Sequence, residues 1–117
     1  MPGKAFFLQR LNDHTVYLKK IQATLEGSGE FRGTDYHDCK LGKWIYGEGS
    51  DEASASGVKE LFDKLLEPHQ KFHEQSHLAI EKKEAGDEGG SHAAVTEMMK
   101  LSTTLVNTLL DMDIRSK

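Results

Sequence analysis

The chain has 117 residues, a mass of 13.1 kDa, 37% apolar residues and 29% charged ones, the balance of one soluble domain able to bury its own core. Its net charge of −4 excludes an electrostatic grip on nucleic acid or anionic lipid. The single cysteine, Cys39, excludes an internal disulfide and predicts a reducing compartment. No apolar run approaches the ~18 residues of a membrane helix. The apolar stretch Ala5-Phe6-Phe7-Leu8 is too short for a secretory signal, so a cytoplasmic location is expected.

Thirteen leucines against eight valines and isoleucines favour helix over sheet, and the apolar period gives the order of elements. From Ala5 to Glu26 the positions Phe7, Leu11, His14, Leu18, Ile21 and Leu25 recur at four and three residues, one face of an amphipathic helix. Gly27 to Gly33 reads as a loop. A short helix is expected from about Asp38 to Tyr46, carrying Cys39 and Trp44, with Gly47, Gly49, Ser50 and Asp51 breaking it. A third helix is expected from about Ala55 to Ala85 on the stripe Val58, Phe62, Leu65, His69, Phe72 or His73, and Ile80. Pro68 interrupts it, because proline lacks an amide donor and crowds the preceding turn. The helix either kinks there or restarts with Pro68 in its first turn. Gly86 to Gly90 is a turn, and Ser91 is a candidate N-cap. The last helix carries Val95, Met98, Ser102, Leu105, Leu109 and Met112 and ends near Asp113. Residues 1–117 are thus expected to form a single all-α domain, an antiparallel four-helix-bundle-like fold in which one short helix carries the cysteine.

Six histidines stand beside that one cysteine. His14 occupies a leucine-like position on the first helix. His69 and His73, at i and i+4, share a face of the third, as do His73 and His77; helical phase alone does not separate the two pairs. Three imidazoles on core stripes need partners for their buried nitrogens. Together with Cys39 they make a tetrahedral set, and thiolate plus imidazole suits Zn2+. Four protein ligands close the shell, which argues for a structural or regulatory ion over a hydrolytic one. His37, His77 and His92 read more simply as solvated residues. Trp44 and Tyr46 read as anchors of the short helix, and Gly42 as a point of close approach to a neighbour. Asp13 sits one position off the stripe, which favours a solvated role over one orienting an imidazole. Met98, Met99 and Met112 read as core fillers.

The segment Asp38-Cys39-Lys40-Leu41-Gly42-Lys43-Trp44 resembles the Cys-x-x-Gly-x-Trp signature of the chemoreceptor zinc-binding domain family. Pro68-His69-Gln70-Lys71-Phe72-His73 is similar to its His-x-x-x-His helix, and His14 to its first histidine. The resemblance covers nearly the whole chain and implies a zinc site of His14, Cys39, His69 and His73. It also implies a regulatory role of the kind such domains play beside bacterial chemoreceptors and diguanylate cyclases, and a homodimer. The leading expectation is a zinc-binding sensor module without catalysis, in which zinc occupancy or oxidation of Cys39 alters bundle packing for a signalling partner to read. Leu61, Leu66 and Leu101, off the main stripes, are the expected dimer contacts. One alternative is a hemerythrin-like di-iron oxygen carrier, but that chemistry wants bridging carboxylates on the histidine-bearing helices. The string His73-Glu74-Gln75-Ser76-His77 also matches the His-Glu-x-x-His zinc hydrolase motif. A hydrolase needs a third ligand and an open cleft beside a strand, neither of which this pattern predicts.

Overall fold

A computed structural model describes residues 2–116, with side chains from Phe7 to Ser116; Phe6 of the apolar amino-terminal stretch lies outside the described side chains. Six helices are described: α1 (Pro2–Leu25), α2 (Lys40–Ile45), α3 (Gly49–Ala55), α4 (Lys59–Asp63), α5 (Leu66–Glu84) and α6 (Glu88–Arg115). No strand occurs among the described residues, and no described helix is long and apolar enough to cross a membrane.

The three long helices set an elongated frame of 47 × 21 × 20 Å. α5 and α6 are joined by the short turn at Ala85–Asp87 and run antiparallel. α1 also opposes α6, since His14 meets Ser102 while Gln22, two turns on, meets Met99. α2 lies on α1, and α4 lies on α6. Phe7, Ile21, Leu65, Phe72, Met98, Leu105, Leu109 and Met112 are fully buried in the shared core, and apolar burial of this kind is the main favourable term of folding. The antiparallel helical bundle expected from the periodicity is the observed architecture.

Element boundaries depart from the expectation in three places. The segment Gly47–Asp51, read as a break, holds the start of α3; Asp51 and Glu52 in the first turn of that helix complement its dipole. The helix expected over residues 55–85 is two helices. Gly57 and Val58 donate back to the carbonyls of Ser54 and Ala53 and stop α3, and a second break at Lys64–Leu65 separates α4 from α5. Pro68 is the third residue of α5, so its missing N–H is one the first turn leaves unpaired anyway. Finally, the N-cap of α6 is Asp87, whose carboxylate accepts from the Gly90 amide at 2.9 Å. Ser91 instead donates its hydroxyl to the Ala79 carbonyl at 2.9 Å, tying α6 to α5.

The buried stripe of α1 also shifts. Phe7, Asp13, His14, Tyr17 and Ile21 are its buried positions, while Leu11, Leu18 and Leu25 flank the core. The cause is that α1 packs on α2 and α5 as well as on α6, so its covered arc is wider than one leucine row. Asp13, expected to be solvated, is buried at 8% exposure, with its carboxylate 3.4 Å from Arg10 Nε. Leu61, Leu66 and Leu101 pack partly buried against the core.

Candidate metal centre

Cys39 is the N-cap of α2. Its backbone is extended, and its sulfur accepts from the Gly42 amide at 3.2 Å. The turn that allows this is crowded: a Cβ on Gly42 would lie 1.9 Å from the Tyr36 carbonyl oxygen. Glycine is therefore required here for the backbone to pass so close, as the sequence suggested. Trp44 fixes the far end of α2. It is buried, its ring meets Phe7 and Phe62 edge-on at 6.0 and 5.5 Å, and its N–H donates to Glu52. Tyr46, read as a second anchor, is 45% exposed and stands over His37.

This anchoring holds the Cys39 sulfur 3.3 Å from Nε2 of His69. His69 and His73 lie side by side on α5, with ring centres 4.8 Å apart. Cys39, His69 and His73, all buried, offer ligand atoms within 4.8 Å of one another. His14, buried on α1, faces the same interior but does not fall within that distance of all three. Its Nε2 is paired with the Ser102 hydroxyl at 2.9 Å, and its ring meets Phe72 at 4.7 Å. His77 is exposed, with Nε2 donating to the Thr34 carbonyl at 2.8 Å. Of the two pairings that phase left open, the one beside the sulfur is His69/His73. Glu74 of the hydrolase-like string is exposed and faces Gln70. His37 pairs with Asp35 at the surface, and His92 is exposed.

Burial governs the electrostatics. It pushes the imidazoles of His14 and His73 down to about 4 and that of His69 to about 3, the neighbouring rings adding to the effect on His14 and His69. Burial pushes the Cys39 thiol up, partly offset by the amides of α2. At neutral pH the cluster is therefore uncharged, a thiol among imidazoles that keep their lone pairs. Two zinc ligands of this type stand about 3.5 Å apart across a tetrahedral angle, close to the observed sulfur–nitrogen spacing of 3.3 Å. His69 has no hydrogen-bond partner for Nδ1 and only the thiol at Nε2. A soft thiolate donor beside two imidazoles fits zinc better than the oxygen-rich sites of harder ions.

Two groups around the cluster were not found by sequence reasoning. Tyr17, three residues after His14 and four before Ile21, holds a buried place on α1 that the leucine row concealed. Its hydroxyl lies 3.2 Å from His73 Nδ1. The Thr34 carbonyl, 3.1 Å from the same nitrogen, carries no side-chain signal at all. A cleft of about 270 Å³, bordered by Asn12, Asp13, Tyr17, Thr34, Asp38 and Cys39, reaches the sulfur side of the cluster.

No curated protein and no solved structure matches the chain. A family model described as the chemoreceptor zinc-binding domain matches residues 14–80, a span that begins at His14 and takes in Cys39, His69 and His73. With more than half of its length so matched, the chain belongs to the chemoreceptor zinc-binding domain family.

Proposed function

We propose that residues 1–117 work as one zinc-binding sensor domain, with the ion held by His14, Cys39, His69 and His73. The observation that carries this reading is the buried contact of Cys39 with His69, with His73 alongside. His14 completes the set by a side-chain movement away from Ser102. When bound, zinc keeps Cys39 as a thiolate at neutral pH. The chain's own contribution is to hold the sulfur at the start of α2 and to exclude most water from it. Loss of zinc, or oxidation of Cys39, frees α2 from α5, and that shift is the signal offered to a partner protein or a second copy. The domain is regulatory and not catalytic, and it works in the cytoplasm, where thiols stay reduced.

The test is metal analysis of protein purified without added metal. One zinc per chain is expected, lost in Cys39→Ala and His69→Ala and kept in His77→Ala. Zinc kept in His69→Ala and lost in His77→Ala would move the site one turn along α5. For the oxidant arm, hypochlorite or peroxide treatment should release zinc and change Trp44 fluorescence together. Oxidised Cys39 with zinc and fluorescence unchanged would leave the ion a purely structural one.

A further inference from the structure

The segment between α1 and α2 crosses the open side of the cluster as a strap, and its fastening is specific. Phe31 packs edge-on against Tyr17 at 5.1 Å, and Arg32 pairs with Glu84 near the end of α5. Gly33 has φ +90°, and a Cβ there would lie 3.0 Å from the Tyr17 hydroxyl and 3.1 Å from the His77 ring. Only glycine both takes this left-handed conformation without strain and lets the strap seat so deeply. The next residue is then clamped from three sides. The Thr34 amide donates to the Tyr17 hydroxyl at 2.7 Å. Its carbonyl accepts from His77 Nε2 at 2.8 Å and faces His73 Nδ1 at 3.1 Å.

The Tyr17 hydroxyl, 3.2 Å from His73 Nδ1, can either donate to that nitrogen or accept from it. A carbonyl oxygen can only accept, so the Thr34 contact at 3.1 Å is the one that requires the His73 tautomer with the proton on Nδ1, which leaves the Nε2 lone pair free. We infer that Tyr17 is a positioning residue of the site: by gripping the Thr34 amide it holds the Thr34 carbonyl on His73, so that His73 meets zinc through Nε2. This rests on His73 being a zinc ligand. Its content lies in residues outside the ligand set, and in which nitrogen the metal meets. Backbone carbonyls that fix a ligating imidazole in this way also raise its basicity.

The deciding variant is Tyr17→Phe, which keeps the ring against Phe31 and Phe72 and removes only the hydroxyl. Zinc affinity, read by competition with a chromophoric chelator, should fall about tenfold, with stoichiometry still one. The second readout needs no metal. Long-range proton–nitrogen spectra of histidine-labelled, metal-free protein should show His73 protonated at Nδ1 in the wild type. In Tyr17→Phe the Nε2-protonated form should grow. An Nε2-protonated His73 in the wild type overturns the inference, as does a Tyr17→Phe protein with unchanged tautomer and unchanged affinity. A wild-type chain that takes up no zinc overturns the ligand assignment instead, and the metal-free tautomer still decides the role of Tyr17.

Discussion

At the scale of single residues, the buried cluster makes proton release a diagnostic of how zinc binds. His14 and His73 titrate near 4 and His69 near 3, so all three are already neutral at pH 7. The Cys39 thiol, raised by burial, must lose its proton to ligate. Zinc binding at pH 7 should therefore release about one proton, and affinity should rise about tenfold per pH unit between roughly pH 5 and 7. Calorimetric titration in buffers of different ionisation enthalpy counts the protons; release of three or four at pH 5.5 would mean imidazoles with ordinary values. The same shifts set acid stability. Each histidine is protonated more readily in the unfolded chain, at the ordinary 6.5, than in the fold. Stability of the metal-free protein is then intact above 6.5 and falls as the pH drops towards 4. Shifts of this size are worth roughly 3–5 kcal/mol per histidine, a large share of the ~5–15 kcal/mol that holds a domain together. Metal-free protein should unfold inside that pH window, and His69→Leu should move the midpoint to lower pH. An unmoved midpoint would show that His69 is not held neutral by burial.

Among the elements, α2 is the most constrained and the most informative. Six residues cannot hold a helix by propensity alone. Cys39 caps it, Trp44 wedges it between Phe7 and Phe62, and Gly42 lets it pass the Tyr36 carbonyl. Gly42→Ala should therefore displace Cys39 from His69 and lower zinc affinity sharply while the long helices survive. Wild-type affinity in Gly42→Ala would mean the turn absorbs a methyl group without moving the sulfur. The sequence carried this element clearly, because cysteine, glycine and tryptophan each have few structural uses at that spacing. The division of α3, α4 and α5 was less legible. Val58, Phe62, Leu65 and His69 continue one another at helical period across the α4–α5 break, so periodicity alone reads a single helix there. The Thr34 contacts were not legible at all. They come from a backbone carbonyl and depend on where a strap with Gly33 at φ +90° settles between Tyr17 and His77.

The whole molecule buries enough apolar surface that zinc is an addition to the fold and not its cause. Ile21, Leu65, Phe72, Leu105 and Leu109 are fully buried without reference to the ligands. Chelation should lower the melting temperature by the linkage term, which grows with free metal, and leave a helical circular-dichroism spectrum. A random-coil spectrum after chelation would assign the fold itself to the metal.

For association with a second copy, Leu61, Leu66 and Leu101 are partly packed against the core and offer less apolar surface than the exposed side chains. Among the described residues, the exposed aliphatic side chains include Leu110 and Ile114, one turn apart on α6 at 39% and 62% exposure, and Leu8 and Val16 on α1 at 41% and 45%. A two-fold dimer buries the same patch on both copies, and α6 offers the adjacent pair Leu110 and Ile114 for it near the carboxyl end of the described chain. Light scattering should give twice 13.1 kDa for the wild type. Leu110→Glu with Ile114→Glu should give the monomer mass without loss of helicity or zinc, because neither side chain touches the metal cluster. A wild-type mass of 13.1 kDa at high concentration would leave α6 to a different partner. A dimer that survives both glutamates would place the contact on α1, at Leu8 and Val16.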